Sequence, residues 1–415
     1  LSELQELRHH EHWTRPQLAA YQTEALRRLR GHAYALSPFY QKFHKGLEGR
    51  PLSQLPVLTK AMLMEHFDDL VTDRAIHLAA VKQYVKHFKE GERYLDRYWV
   101  NTTSGSTGQP GYFLFNQSEW TVVLASFARA YEWAGVKGKL NRRMKMAMIA
   151  STTPWHMSAQ VGATVKSWWM PTLRLAASES VEKIVEQLNA WQPEMLVAYA
   201  SMARVLADEQ LSGRLRIDPQ RVFTSSEVLT DDTRRRIAVA WGHPPFNQYA
   251  ATETGGLAAE STTHQGMELF EDHIIFEVVD DHYQPVPPGV FGDKLLITVL
   301  FNRTQPLIRY ELSDSVRLAS EPNTSTHPFA RIDGVQGRTE DVLHFPAVAG
   351  GQVAVQPLTF HRILDTVPAS GWQVVQEANG LNIMLSGASD HFMDASLVDA
   401  LTEALVAQGV SLPTV

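Results

Sequence analysis

The residues best suited to phosphate chemistry lie in one short run, TTSGSTGQPG at positions 102–111. Glycine has no Cβ, so backbone N–H groups in such a run can approach phosphate oxygens closely, and the hydroxyl groups add further donors. The run lacks both the Gly-Lys-Ser/Thr ending of a Walker loop and the Gly-x-Ser-x-Gly pattern of a nucleophile elbow. On spacing alone it predicts either a phosphate-binding loop or an ordinary flexible turn. The candidate phosphate-binding residues are Thr103, Ser104, Gly105, Ser106, Thr107 and Gly108.

Three further segments follow this run in order: YAATETG at 249–255, IRYELSD at 308–314 and GRTED at 337–341. Together with the first run they resemble the signature segments of the adenylate-forming superfamily, which includes acyl-CoA synthetases and the adenylation domains of peptide synthetases. They correspond to the family's Ser/Thr/Gly loop, its Tyr-Gly-x-Thr-Glu and Arg-Tyr-x-x-Gly-Asp segments, and its Gly-Arg-x-Asp-Asp hinge. Four matches in the family's order favour phosphate binding at the first run.

The resemblance implies that the protein uses ATP to activate a small carboxylic acid as an acyl-adenylate. Because two anions must meet in that reaction, magnesium and oriented hydrogen-bond donors are expected in the site. Glu253 is the expected Mg²⁺ ligand, and Thr252 beside it is expected to bond the α-phosphate. Asp314 would accept hydrogen bonds from the ribose hydroxyls, Arg338 would reach ribose or phosphate, and Tyr249 completes the nucleotide-binding set. Taken singly, each charged residue has a structural alternative, namely a solvated charge, a turn cap or a surface ion pair.

The acid is expected to bind between the loop at 102–111 and the segment that begins at Tyr249. Aromatic residues there favour a flat, apolar, aromatic acid, because a ring gains both burial and offset stacking in such a slot. Packing of the tryptophans in the core is the alternative. The candidate pocket residues are Trp155, His156, Tyr199, Ala200, Ser226 and Ala250.

Within the superfamily, the chain is most similar to the phenylacetate-CoA ligases and their capsule-biosynthesis relatives. SPFY at 37–40 and LPVLTK at 55–60 resemble the opening of that branch. The likeness implies an α/β fold with a large multi-layered N-terminal domain over residues 1–337, which includes a β-rich part. A small, mobile α+β domain would follow over 338–415, with the active site between the two domains and a hinge at Glu340.

Some positions depart from the family pattern. Ala250, Ser226 and Ser313 stand where glycine is usual, and the substitutions are tolerated where φ is negative. Family members also use a lysine near the C-terminus during adenylation, whereas this chain has no lysine after Lys294. Either that lysine lies beyond residue 415 or the enzyme works without it. Because the first residue is not Met, we expect both ends of the sequence to be incomplete, which favours the first alternative.

Helices and strands alternate through the first half of the chain, which favours α/β layering with a mostly parallel sheet. Strand-like runs after residue 246 indicate the added β-rich part. The predicted helices cover 17–36, 178–191, 202–209, 357–364 and 396–407, and the predicted strands cover 144–150, 195–197, 221–224, 273–280 and 294–300.

Composition excludes several other classes of protein. The 415 residues carry a net charge of -7 without any basic run interleaved with aromatics, so no nucleic-acid partner is expected. The absence of cysteine removes disulfides, thiolate-metal sites and cysteine nucleophiles, and it favours a reducing cytoplasm. No apolar stretch is long enough to predict a membrane span or a signal peptide.

The histidines are not expected to bind a structural metal. The HHEH run at 9–12 predicts a polar terminal helix rather than a metal cluster. His264, His273 and His282 lie where relatives often carry cysteines, but this chain offers Ser261, and a hydroxyl is a poor replacement for a thiolate.

The acceptor of the activated acyl group is open. Coenzyme A is favoured by likeness, while an amine acceptor would make the protein an amide-forming or other nitrogen-acceptor ligase of secondary metabolism. A nucleotide-binding relative with little turnover is the remaining alternative. The sequence leaves both a monomer and a homodimer open.

Overall fold

The computed structural model describes residues 2–89, 91–103, 110–136, 143–164, 168, 170–262, 266–321, 326–338, 341–367, 369, 371–377, 380–388, 394–411 and 415. Its helices are α1 (Ser2–His10), α2 (Arg15–Leu36), α3 (Pro38–Phe43), α4 (Lys60–Glu65), α5 (Phe67–Leu70), α6 (Leu78–Lys86), α7 (Gln117–Trp133), α8 (Met157–Thr164), α9 (Val181–Trp191), α10 (Ala200–Leu211), α11 (Asp231–Trp241), α12 (Pro357–Leu364) and α13 (Asp394–Ala407).

All the strands lie between α6 and α13 in the chain. They are β1 (Trp99–Thr102), β2 (Tyr112–Phe115), β3 (Met146–Ala150), β4 (Thr172–Ala176), β5 (Met195–Tyr199), β6 (Arg221–Ser225), β7 (Phe246–Ala251), β8 (Gly255–Glu260), β9 (Met267–Leu269), β10 (Ile274–Val279), β11 (Lys294–Val299), β12 (Tyr310–Leu312), β13 (Asp314–Leu318), β14 (Arg331–Arg338), β15 (Leu343–Pro346), β16 (Gln352–Val355), β17 (Gly371–Glu377) and β18 (Gly380–Ser386).

In the described part of the chain, nine strands form one large sheet in the order β13-β14-β9-β8-β7-β6-β5-β3-β4. The strands from β4 to β7 pair in parallel, because helices such as α9, α10 and α11 return the chain between them. Apolar runs such as MAMIA in β3 are buried along their whole length, as expected for strands covered on both faces.

The other half of this sheet is antiparallel, so the prediction of a mostly parallel sheet was wrong for that half. The cause is local: only residues 252–254 separate β7 from β8, which is too few for a crossover helix and enough for a hairpin. A separate antiparallel sheet, β10-β11-β12, packs in the β-rich part predicted from the runs at 273–280 and 294–300.

The chain after β14 has a hydrophobic core of its own. Phe345, Val355, Phe360, Leu364 and Leu401 are buried together, in a cluster separate from those of the large sheet. The helices predicted at 357–364 and 396–407 both form, whereas the β17–β18 hairpin had not been predicted. The fold is therefore α/β with a β-rich part and a small α+β unit.

None of the helices in the described ranges combines the length and apolar character needed to cross a bilayer.

A buried ion-pair cluster holds α1 against α7 and the chain before β10. Arg129 and Asp272 are both fully buried, and the two guanidinium Nη atoms lie 2.8 and 2.6 Å from the carboxylate oxygens. His10 Nδ1 lies 2.9 Å from the same carboxylate. Burial alone would raise the pKa of the Asp272 carboxyl, but the Arg129 guanidinium holds that pKa well below its usual range. His10 thus belongs to a buried cluster, although the HHEH run reads as part of a polar helix.

This cluster predicts a large stability effect from one isosteric change. Asp272→Asn should lower the free energy of unfolding at pH 7 by about 3–5 kcal/mol, because it removes the carboxylate that pairs with both Nη atoms of the buried Arg129 and leaves only Glu11, 3.4 Å from Arg129 Nε, as counter-charge. Urea unfolding measures the difference. The matched control is Arg8→Met, which removes an exposed ion pair with Glu132 between the same two helices and should cost about 0–1 kcal/mol. Equal losses in the two variants would contradict the prediction.

Candidate functional site

A large cleft opens where the parallel strands end. The carboxyl ends of β3, β5, β6 and β7 line it, together with Gly337, Arg338 and residues of α12. The cleft volume is about 1840 Å³. In open α/β sheets, ligands bind outside the carboxyl ends of the strands, so this is the expected position for a site.

A tight hairpin places an acidic side chain in this cleft. Thr252, Glu253 and Thr254 form the turn between β7 and β8, and β8 packs against α7. Gly255 follows it with φ of +78°, and a Cβ at this position would lie 2.8 Å from Val123 of α7. Only glycine fits that conformation and that approach, which explains the TETG pattern in the sequence. Glu253 is consequently 7% exposed while lining the cleft.

The environment of Glu253 opposes its negative charge. Burial raises the pKa of its carboxyl to about 7, and the nearby Asp314 carboxylate adds to that rise. The positive charges of Arg338 and Lys60 act in the opposite direction without cancelling it. The neighbouring positive charges thus only partly offset the cost of burying the Glu253 charge. A carboxylate in this situation is well suited to bind a cation, and oxygen ligands are those that Mg²⁺ prefers.

A second cluster joins strands from distant parts of the large sheet. Tyr249 on β7 donates its phenol hydrogen to Asp314 Oδ2 at 2.9 Å. Asp314 and Arg338 are cross-strand partners on β13 and β14, with 3.9 Å between Arg338 Nε and Asp314 Oδ1. The cluster contains the acceptor oxygens that a ribose diol requires and a guanidinium that a phosphate or ribose oxygen can approach.

The loop predicted to bind phosphate has its two ends fixed together. Thr103 N–H donates to the Gly111 carbonyl (3.1 Å), and Gly111 N–H donates to Thr103 Oγ1 (2.8 Å). Thr103 lines the cleft. Residues 104–109, which include Ser104, Gly105, Ser106, Thr107 and Gly108, lie outside the described residues, as does Glu340 of the expected hinge.

The residues predicted to hold the acid are divided between the cleft and the core. His156, Tyr199, Ser226 and Ala250 line the cleft. Trp155 instead packs against the main core cluster, and its carbonyl oxygen accepts a hydrogen bond from Thr102 N–H at 3.0 Å. Ala200 is buried at the first turn of α10 and is also absent from the cleft lining. Trp168, the tryptophan of the Trp168-Trp169 pair that lies in the described ranges, is 71% exposed.

Several cleft residues were not anticipated. Phe127 and Tyr131 lie one turn apart on α7 and supply aromatic surface; their i, i+4 spacing was the available signal. Lys60, already quoted in the LPVLTK segment, places its ε-carbon near Gly111 at the end of the phosphate loop. Ser151 follows β3, and its Oγ lies 2.8 Å from His156 Nδ1. Burial lowers the pKa of His156 below 6.5.

Backbone geometry corrects one expectation about the glycine replacements. Ser226 has φ of +67°, in the left-handed region that favours glycine, whereas Ala250 and Ser313 do not have positive φ. Non-glycine residues in this region carry a conformational cost of about 1–3 kcal/mol and cluster at functional sites. Ser226 is exposed at the end of β6, where it borders the cleft.

Comparison with known proteins places this geometry in context. No family model matches the chain. It is 26% identical over 388 residues to a phenylacetate-coenzyme A ligase of Thermus thermophilus, covering 88% of this chain and 80% of that protein. It is also 26% identical over 325 residues to the protein CapK of Staphylococcus aureus, covering 74% of this chain and 65% of that protein.

A solved ligase shows the same fold in more than one state. A 2-hydroxyisobutyryl-CoA ligase in the postadenylation state, in complex with R3-HIB-AMP, superposes with a TM-score of 0.75 at 17% identity, covering 97% of this chain and 86% of that one. The same ligase in complex with 2-HIB-AMP and CoA, in the thioesterification state, superposes with a TM-score of 0.64 at 17% identity. That match covers 98% of this chain and 88% of the ligase chain.

The raised pKa of Glu253 predicts a pH-dependent gain in stability on Glu253→Gln. Between pH 4.5 and 7 the folded protein keeps a proton that the unfolded chain has lost, so stability falls as pH rises through this window. Above pH 7 that loss is complete. Glu253→Gln removes the titrating group and should raise the free energy of unfolding at pH 8 by about 1–3 kcal/mol relative to wild type, with little effect at pH 4.5.

Urea unfolding at the two pH values measures this effect. Glu65→Gln, an exposed change at the end of α4, is the control and should be neutral at both. The prediction fails if Glu253→Gln changes stability equally at pH 4.5 and pH 8.

Proposed function

We propose that this chain, a phenylacetate-CoA ligase-like member of the adenylate-forming superfamily, uses ATP and Mg²⁺ to convert a small carboxylic acid into an acyl-adenylate and then transfers the acyl group to coenzyme A. The observation that carries the proposal is the meeting of Tyr249, Glu253, Asp314 and Arg338 in one cleft at the carboxyl ends of the parallel strands. These residues come from three separate segments of the sequence and are those that the family resemblance assigns to the nucleotide and its metal.

The chemistry requires each of these groups. An oxygen of the acid forms a bond to the α-phosphorus of ATP while the bond to the bridging oxygen of pyrophosphate breaks, so negative charge accumulates at the phosphates. Lys60 and Arg338 place positive charge in the cleft, and the Thr252 hydroxyl supplies a donor for the α-phosphate. Asp314 would hold the ribose through its hydroxyls and so fix the α-phosphate relative to the acid.

Glu253 would hold the magnesium ion. The fit rests on its buried and under-compensated carboxylate, with the Thr252 hydroxyl next to it as a further oxygen. When bound, the ion would neutralise charge on the phosphates and on the leaving pyrophosphate. Binding of the ion would also favour the ionised form of Glu253, because a positive charge lowers the pKa of an adjacent carboxyl.

The acid is proposed to be aromatic. Support comes from the phenylacetate specificity in the names of relatives and from the aromatic surface of Phe127, Tyr131 and Tyr199 on the cleft wall. Two of these rings come from one face of α7 and the third comes from the end of β5. A ring bound there would gain burial and offset contacts.

The two-domain division is also a proposal, with a large domain over 1–337 and a small domain over 338–415. The separate hydrophobic core after β14 supports it. So does the backbone at the boundary, where Gly337 has φ of +108° and a Cβ would lie 3.3 Å from Pro357.

One assay tests the proposed function. With ATP and magnesium, aryl acids should release pyrophosphate from wild-type protein, and added CoA should yield the thioester. Glu253→Gln should lower acid-dependent release by about 100-fold or more, because it removes the charge that holds the metal. Glu65→Gln should have no effect.

Other outcomes of this assay would revise the proposal. Product formation with amines and not with CoA would establish the nitrogen-acceptor ligase instead. ATP binding without release for any acid would leave a nucleotide-binding relative without turnover. Normal release by Glu253→Gln would remove Glu253 from the metal site.

Asp314 offers a separate test of the nucleotide site. Asp314→Ala should weaken ATP binding by about 1.5–3 kcal/mol, or roughly 10- to 150-fold, because a carboxylate paired with ribose hydroxyls makes charge-assisted bonds. Calorimetric titration with ATP measures the change. Tyr249→Phe, which removes only the phenol donor to Asp314, should have a smaller effect. Unchanged ATP affinity in Asp314→Ala would exclude the ribose role.

A further inference from the structure

A buried arginine on α10 binds the chain that follows α12. The Arg204 side chain is almost fully buried; its Nη1 donates to the carbonyl oxygens of Asp365 at 3.0 Å and Val367 at 3.3 Å, and its Nη2 donates to that of Ala369 at 2.8 Å. These carbonyls follow the C-terminal end of α12, where the helix dipole is negative and favours a cation. One side chain of the proposed large domain therefore makes three charge-assisted hydrogen bonds to the proposed small domain.

The side chain of Asp365 extends the same contact to α11. Thr230, the N-cap of α11, donates its hydroxyl hydrogen to Asp365 Oδ2 at 3.2 Å. Trp372 Nε1 donates to Asp365 Oδ1 at 3.0 Å. Both Thr230 and Asp365 are buried. Hydrogen bonds thus join α10 and the N-cap of α11 to the turn after α12.

Polar contacts of this kind select one arrangement of the two parts. The guanidinium is a rigid fork, so its bonds depend on the positions of all three carbonyls, unlike apolar contact, which tolerates sliding. If the chain after residue 338 turned away, a charge and several carbonyl groups would have to find new partners. The better superposition on the postadenylation state than on the thioesterification state of the related ligase fits an arrangement suited to the first reaction.

We infer that Arg204 is a positioning residue that, through the backbone after α12 and with Asp365, holds residues 338–415 in the arrangement for adenylation and must release them before acyl transfer. The inference rests on the proposed two-step function. Its consequence is that the strength of this contact sets the balance between the two steps. Weakening the contact lowers the first step and spares or speeds the second.

The test separates the two half-reactions. In Arg204→Met, which keeps the stem but removes the charge and the donors, acid-dependent pyrophosphate release should fall at least tenfold. Thioester formation from CoA and the acyl-adenylate prepared from the best acid of the panel should stay within threefold of wild type or rise. A residue needed only for folding would lower both steps together.

A matched control is available on the same pair of helices. Arg236 of α11 pairs with Asp208 of α10 at 2.7 Å, and none of its recorded contacts reaches the described residues after 338. Arg236→Met should leave both half-reactions within twofold of wild type. If Arg204→Met does not fold, Arg204→Lys is the more conservative variant, because it keeps the charge but cannot bind three carbonyls at once. It should shift the ratio of the adenylation rate to the acyl-transfer rate in the same direction as Arg204→Met.

A distance measurement tests the same inference without catalysis. Because the chain has no cysteine, nitroxide labels attach only at introduced positions, for which Leu211→Cys on α10 and Met384→Cys on β18 are exposed. The labelled parent protein should give one main inter-label distance with ATP and acid. Arg204→Met should add a second population, and Arg236→Met should not.

The outcomes distinguish the inference from the function on which it rests. A second distance population together with a selective loss of adenylation supports the inference. Equal loss of both half-reactions, or an unchanged distance distribution in Arg204→Met, overturns it. If no acid gives pyrophosphate release in wild type, the proposed function fails, and the distance distribution alone then decides whether Arg204 holds the two parts together.

Discussion

Two carboxylates, Glu253 and Asp314, face one cleft, and the need to hold both of them there shapes the rest of the site. Tyr249 on β7 binds Asp314 on β13. In a flat sheet these two residues would be far apart, because β14, β9 and β8 lie between β13 and β7. At about 4.8 Å per strand the separation would approach 19 Å, well beyond the reach of a tyrosine. The 2.9 Å bond between Tyr249 and Asp314 therefore requires the antiparallel strands from β8 to β13 to curl back toward β7. That curl also brings Arg338, the cross-strand partner of Asp314, to the cleft.

The sequence indicated candidate residues that the structure brings to one cleft, namely the TETG turn, Asp314 and Arg338. They could be singled out because each lies within a short segment that resembles a signature segment of the family; their roles remain predictions. The long-range contacts could not be found in this way. Arg129 and Arg204 read as ordinary polar positions of helices, and only the tertiary structure shows that their charges are buried. The left-handed φ of Ser226 was also hidden, because serine gives no local signal for it. The antiparallel half of the sheet escaped prediction since a three-residue turn leaves almost no pattern.

The two buried arginines illustrate how similar side chains can serve fixed and changeable contacts. Arg129 makes a bidentate ion pair with a fully buried carboxylate and packs against the faces of Phe270 and Phe329. Removing either partner of this ion pair would leave the other charge buried in the core. Arg204 is bound mainly to neutral carbonyl oxygens, which water can replace when the contact opens. The first arrangement suits a junction that stays closed throughout the life of the protein. The arrangement around Arg204 suits a junction that opens and closes. The closed and open states of such a junction differ little in free energy, so substrate binding can shift the equilibrium between them.

Two costs of this molecule lie at the cleft, where Glu253 is buried with its charge opposed and Ser226 occupies a strained backbone region. Burial also raises the pKa of the Glu119 carboxyl, but there the backbone N–H groups of Asn116, Arg303 and Thr304 bind the carboxylate and oppose that rise. A nucleotide with its metal would relieve the first cost, because a cation favours the ionised form of Glu253. Substrate binding would then stabilise the folded protein beyond the contacts it makes. A site of this kind is less stable empty than filled, and substitutions that stabilise the empty protein at these positions are those expected to impair catalysis.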